Sequence, residues 1–156
     1  MYFGESIHAL DSKHRVVIPK RLQETLARDE QGEITVVLTR GFERCLFVFS
    51  DRDFKRVLER MKLQPFGGEE LRRMQRLFFA NVQTCQLDGS GRILLPERLR
   101  AYAGIQAQAE VAVLGIADRA EIWDRTTWQR FQRDHDDEFD SLDQVLCGEG
   151  GGMGPG

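Results

Sequence analysis

The amino-acid sequence predicts an α+β chain built of two tandem halves with linking and C-terminal helices, and three observations predict it. First, Leu10–Leu22 returns as Leu87–Leu99 at a constant shift of 77 positions, identical at Leu10/Leu87, Asp11/Asp88, Arg15/Arg92, Pro19/Pro96, Arg21/Arg98 and Leu22/Leu99. A repeat of this length marks a duplicated structural unit. Second, an aliphatic triplet stands between Arg and Pro in both copies, Val16–Ile18 and Ile93–Leu95. Third, the segment between the copies carries apolar residues at helical spacing and not at strand spacing.

Taken in order, each copy begins with a polar turn. Asp88-Gly89-Ser90-Gly91 is rich in residues that tolerate positive φ and close a hairpin. Its counterpart Asp11-Ser12-Lys13-His14 has no glycine, which predicts a left-handed or strained His14. The aliphatic triplet that follows reads as a buried strand, and the Pro after it ends the strand and opens a short helix, where a missing N–H costs nothing. At the same shift of 77, Ile34–Val37 aligns with Val111–Leu114 as a further strand. With three residues removed from the first copy, Leu46–Ser50 matches Ala120–Asp124, and Phe54 falls opposite Trp128.

Between the halves, Phe54, Val57, Leu58 and Met61 fall at i, i+3, i+4 and i+7, as do Leu71, Met74, Leu77 and Phe78. These are two amphipathic helices joined by Pro65-Phe66-Gly67-Gly68, with apolar faces suited to packing within the chain or between subunits. Arg72, Arg73 and Arg76 on the second are readable as a solvated face or as a nucleic-acid stripe. The organisation is therefore 1–52 first half, 53–79 linking helices, 80–124 second half, 125–142 C-terminal helix and 143–156 a disordered Gly-rich tail, too poor in apolar residues to order itself. Each half of about 75 residues is near the size at which a lone core is marginal, so the halves are expected to bury each other.

The 156 residues carry a formal charge of −3 that hides an asymmetry. All 22 Lys and Arg lie within residues 1–133 against 18 Asp and Glu, whereas residues 134–156 hold seven acids and no Lys or Arg. A basic body thus carries an acidic tail. No apolar run is long enough for a membrane span, and the start lacks a secretion signal, so a cytoplasmic address is expected. Cys45, Cys85 and Cys147 are odd in number and widely spaced, and His8, His14 and His135 share no ligand spacing. Neither a disulfide framework nor a metal site is indicated, no cofactor is expected, and no nucleophile, base and Gly-rich phosphate loop converge as an enzyme requires.

The chemistry-bearing residues cluster in the repeats. Lys13, His14 and Arg15 precede a rigid strand, and Lys20 and Arg21 open the next helix, against one acid, Asp11. Such a loop can sit on phosphates or enter the major groove, where Arg suits the N7/O6 edge of guanine. The second copy offers Ser90, Arg92, Arg98 and Arg100 at equivalent or neighbouring places, against Asp88 and Glu97. Asp11–Arg15 and Asp88–Arg92 also have the spacing at which carboxylate and guanidinium close a turn by a bidentate pair and read nothing. The two readings are compatible if Asp orients Arg.

Four segments in order, Met1–Pro19, Arg72–Ala80, Leu87–Pro96 and Ala120–Asp124, resemble the bacterial MraZ family, with the resemblance extending over Met1–Phe131. Two tandem Asp-x-x-x-Arg motifs, each leading into a strand and Pro, carry it. The resemblance implies two AbrB/SpoVT-like halves whose swapped hairpins form a double-split β-barrel. It also implies a DNA-binding transcriptional regulator, an autorepressor of the division and cell wall gene cluster, that reads short G-rich direct repeats in double-stranded promoter DNA. The expected partners are that DNA and further copies of the chain in a ring, without membrane or small-molecule substrate, at the nucleoid. Lys13, His14, Arg15, Lys20, Arg21, Ser90, Arg92 and Arg98 are the expected DNA contacts, and Asp11 and Asp88 the residues that orient the turns. An antitoxin-like protein-binding module is the alternative. The sequence departs from the family pattern at His14 (for Gly), Tyr2-Phe3 (for Phe-Arg), Ala80-Asn81 (for Gly-His) and the turn Ile116–Ala120.

Overall fold

The computed structural model describes residues 1–62 and 67–152; Pro65 and Phe66 of the inter-helix linker and residues 153–156 of the tail lie outside them. The described chain divides into two compact units, Met1–Arg125 and Thr126–Gly156.

The first unit starts with strand β1 (Glu5–Ala9), β2 (Arg15–Val17) and a one-turn helix α1 (Lys20–Gln23). Strands β3 (Thr35–Arg40) and β4 (Leu46–Ser50) follow, then helices α2 (Asp51–Lys62) and α3 (Glu69–Phe79). The second copy supplies β5 (Gln83–Gln86), β6 (Arg92–Leu94), α4 (Glu97–Ala103), β7 (Glu110–Ile116) and β8 (Arg119–Asp124). In both copies the Pro stands one residue before the helix, Pro19 before Lys20 and Pro96 before Glu97, with extended ψ. Its ring ends the strand and its fixed φ starts the helix.

Strand exchange between the copies is the main structural result. Six strands form an antiparallel sheet in the order β1-β7-β8-β4-β3-β5, and β2 pairs with β6 in a separate two-stranded ribbon. The turns after Asp11 and Asp88 close as hairpin turns, with the Asp11 N–H donating to Arg15 O at 3.0 Å and the Asp88 N–H to Arg92 O at 2.9 Å. The strands flanking each turn nevertheless do not pair with one another. β1 pairs with β7, β5 with β3, and β2 with β6, each across the copies. The fold is thus α+β with two interleaved AbrB-like halves.

The register corrects one part of the repeat alignment. β5 pairs Cys85 with Val36, and β1 pairs His8, the equivalent of Cys85, with Val111. Val36 therefore corresponds to Val111, a shift of 75 and not 77. The second copy is two residues shorter between helix and strand, and a strand offset by two keeps every side chain on the same face, so apolar pattern alone does not detect it. The shift of 74 at β4/β8 is unchanged: Leu46 pairs with Ile122 and Val48 with Ala120.

One apolar core holds both copies. Leu10 and Leu87, Val16 and Ile93, Ile18 and Leu95, and Leu22 and Leu99 are all buried in it, with Val36, Leu38, Val111, Val113 and Ile122 from the large sheet. Val16 faces Ile93 across the ribbon, and both are fully buried. The halves bury each other because no half completes its own sheet.

α2 begins at Asp51, two residues before the boundary read from sequence, because Ser50 caps it. Its Oγ accepts from the Asp53 N–H at 3.0 Å and donates to Asp53 Oδ2 at 2.9 Å, which satisfies one of the free donors of the helix start. In the second unit, α5 (Arg125–His135) leads into a 3-10 segment, Asp136–Leu142. A further helix, α6 (Asp143–Gly152), occupies much of what its composition predicts as an unordered tail; Asp143 at its positively polarised start favours the first turn.

Candidate nucleic-acid interface

The exchange of strands brings the two repeated turns side by side. In the first turn, Asp11 Oδ1 accepts the backbone N–H groups of Lys13 and Arg15, both at 2.9 Å, and Asp11 Oδ2 accepts Arg15 Nε at 2.7 Å. The second turn repeats this at Asp88, whose Oδ1 accepts Ser90 and Arg92 N–H at 2.9 Å and whose Oδ2 accepts Arg92 Nε at 2.9 Å. Each Asp is an acceptor inside its own turn, the usual role of a turn Asp.

The guanidinium groups then cross over. Arg15 Nη1 lies 3.7 Å from Asp88 Oδ2, and Arg92 Nη1 lies 3.5 Å from Asp11 Oδ2. Instead of two isolated bidentate pairs, the four residues form one closed ring in which each Arg bridges both turns. Both Asp carboxyls are held below their ordinary value, first by the backbone N–H of Arg15 or Arg92, with burial opposing and the Arg side chains assisting.

His14 has φ of 62°, and its counterpart Gly91 has φ of 74°. Both occupy the left-handed position that follows a three-residue hairpin turn. The carbonyls of these residues serve the opposite copy: His14 O accepts from Leu95 N–H and Gly91 O from Ile18 N–H, both at 2.9 Å. His14 Nδ1 is buried without a hydrogen-bond partner.

The other sequence-predicted contacts are placed unequally. Lys13, Lys20, Ser90 and Arg98 are exposed. Arg21 is half-buried, and its Nε donates to Phe3 O at 3.0 Å, so it anchors the N-terminal segment. Arg100 of the second copy donates through Nε to Leu95 O at 2.9 Å. Its repeat partner Gln23 donates through Nε2 to Ile18 O at 2.6 Å. Both side chains satisfy the carbonyl just before the Pro, which is a role the sequence reading did not assign. Their common shift of 77 was the available signal.

On the ribbon, Val16 and Ile93 point inward while the outward positions alternate Arg15, Val17, Arg92 and Leu94. Val17 is 38 % exposed and Leu94 54 %. Arg15 stands opposite Leu94 and Val17 opposite Arg92. The face is thus two turns and a ribbon that present Arg and aliphatic groups together. Arg72, Arg73 and Arg76 of α3 are exposed; Arg72 donates to Gly67 O at 2.6 Å and Arg73 lies 3.8 Å from Glu69.

Burial, with Glu121 and Glu43 adding to it, pushes the Cys45 thiol up, and burial does the same to Cys85. Among the described residues, no His, Cys, Asp and Glu cluster has the makings of a metal site, and no helix is long and apolar enough to cross a membrane.

Interleaved AbrB-like halves with paired Asp-x-x-x-Arg turns define a tandem strand-exchanged fold. The family described as "MraZ protein, putative antitoxin-like" matches the chain twice, at residues 1–77 and 78–146. Relatives carry the name transcriptional regulator MraZ. The protein of Moorella thermoacetica is 36% identical over 146 residues, 94% of this chain and 96% of its own. That of Carboxydothermus hydrogenoformans is 40% identical over 131 residues, 84% and 86% of the two chains, and that of Acetivibrio thermocellus 33% over 147, 94% and 97%. The chain belongs to the MraZ family, and its role is that of a transcriptional regulator.

Proposed function

We propose that the chain is a sequence-specific DNA-binding autorepressor of the bacterial division and cell wall gene cluster, acting in the cytoplasm at the nucleoid. It reads short G-rich direct repeats in promoter DNA through the Asp-x-x-x-Arg turns of several subunits arranged in a ring. The observation that carries this reading is the closed ring of Asp11, Arg15, Asp88 and Arg92, which ties two Arg-bearing turns to one ribbon. Arg side chains held by carboxylates lose less freedom on meeting a guanine edge, and a fixed guanidinium selects by geometry as well as charge. Lys13 and Ser90 at the turns, with Lys20 and Arg98 at the helix starts, supply phosphate contacts that set position without reading sequence. Arg21, tied to Phe3, contributes charge from a fixed place.

The test is a gel-shift titration of Arg15→Ala and Arg92→Ala against the DNA upstream of the gene. Removing a guanine contact costs about 1–3 kcal/mol per engaged subunit. Specific binding is expected to fall steeply with circular dichroism unchanged; unchanged affinity would assign the ring of four to turn closure alone.

A second reading, a module that grips a protein in the manner of an antitoxin, is favoured by Val17 and Leu94, whose exposed apolar groups stand opposite Arg92 and Arg15 on the ribbon. Such a module would hold its target in high salt, where phosphate-driven binding is weakened.

A further inference from the structure

Away from the turns, the first unit carries an apolar groove with a cationic rim. Phe42, Met74, Leu77 and Phe78 line it, together with Arg40, Arg44 and Tyr102, around a cavity of about 440 Å³. Phe42 is 62 % exposed and Leu77 59 %. The rim is built and not incidental. The guanidinium groups of Arg40 and Arg44 stand 4.7 and 5.0 Å from the centre of the Tyr102 ring, and the Tyr102 hydroxyl donates to Gly41 O at 2.6 Å. Arg40 Nε is buried without a hydrogen-bond partner.

The turn that presents Phe42 is costly. Glu43 and Arg44 are consecutive non-glycine residues with φ of 55° and 66°, a conformation in which a side chain crowds the following carbonyl. It closes the hairpin between β3 and β4 with the twist that antiparallel strands require. It also leaves Phe42 edge-on to Phe47, with ring centres 5.6 Å apart, and Arg44 on Tyr102. Arg73, one turn before Leu77 on α3, adds charge to the same helix face.

The second unit offers the complement. Residues 134–146 hold six of the seven acids of the C-terminal region and no Lys or Arg, yet Phe139, Leu142, Val145 and Leu146 recur at short intervals and are exposed, Phe139 by 74 % and Leu146 by 80 %. An acidic helical segment with an apolar edge is the natural occupant of an apolar groove with an arginine rim.

We propose that the Phe42–Leu77 groove of one chain receives the Asp134–Leu146 segment of a second copy. Patch and groove are different surfaces, and where each chain gives its segment to one neighbour and receives that of another, the contact is heterologous and runs head to tail, the symmetry that closes into rings. The inference rests on the assembly proposed above and names its interface; it does not involve the Asp-x-x-x-Arg turns.

Complementation between full-length variants tests it. Leu77→Asp disables the groove, and Phe139→Asp with Leu146→Asp disables the segment; all three residues are exposed, and circular dichroism verifies the fold. By light scattering, wild type is expected as an assembly and each variant as a monomer, both retaining weak binding to a single DNA repeat. An equimolar mixture should give one intact contact per pair, hence a species of twice the monomer mass. Variants that assemble like wild type would overturn the interface while leaving the assembly standing. A mixture that stays monomeric would overturn occupancy by a second copy in favour of the chain's own segment. A monomeric wild type would remove the assembly together with this inference and leave the groove to a foreign protein.

Discussion

His14 and Gly91 occupy equivalent left-handed positions, yet only glycine does so without steric cost. The His14 turn persists because the Asp11 carboxylate and the Leu95 N–H fix it from both sides. A single Asp oxygen accepts two backbone N–H groups in each turn, while the other oxygen holds guanidinium groups of both copies. This makes the turns sensitive to acid. Asp11 and Asp88 are held below their ordinary value of 3.8 in the folded chain, so ionisation favours folding above that value, and the contribution fades as pH falls through the depressed values. The double variant Asp11→Asn, Asp88→Asn is expected to melt at lower temperature than wild type near neutrality. The gap should begin to narrow below about pH 4, where the carboxyls of the unfolded chain take up protons, and close as pH falls through the lower values of the folded chain. Thermal scans across that range check it, and a gap independent of pH would remove charge from the account.

Among the elements, β2 and β6 are short, three residues each, and hold position only because every inward group is buried. Leu95, which continues β6, is fully buried and donates its N–H to His14. Leu95→Ala leaves a cavity beneath both turns and is expected to cost about 2–5 kcal/mol. Urea unfolding measures the loss, and specific DNA binding should decline in parallel because the turns lose their common support. The strand and helix segments were legible because their periodicity and their Pro punctuation are local. The local pattern does not name the partners of β1 and β2, since the hairpin turns Asp11–His14 and Asp88–Gly91 look the same whether the flanking strands pair with each other or with the other copy; the exchange was implied by the family resemblance alone. Ser50 and Asp53 carried a readable capping signal that moves the start of α2 to Asp51.

For the whole molecule, recognition by several subunits has a measurable signature. A single repeat should bind weakly, two or more correctly phased repeats far better, and an insertion of about half a helical turn, roughly 5 base pairs, should undo much of the gain. Neutralising Lys13 and Lys20 should lower the slope of log affinity against log salt by about 0.9 for each phosphate left without its cation. Affinity against repeat number, phasing and salt reads all three. A chain that binds one repeat as tightly as three would sink the multivalent mechanism and leave DNA binding intact.

The duplication, the α+β class, the repeated constellation of Asp11, Arg15, Asp88 and Arg92, and the family are all readable from the order of residues. Each is carried by residue type at fixed spacing, which survives without knowledge of what lies across the fold. Which strand of one copy meets which of the other, the alignment of β3 and β7 at a shift of 75, and the answer of each Arg to two Asp residues emerge only in the folded molecule. So does the turning of Arg21, Gln23 and Arg100 toward backbone carbonyls. These outcomes depend on which surfaces meet, and an antiparallel strand offset by two residues, or a guanidinium with a second carboxylate in reach, leaves no mark on the local pattern.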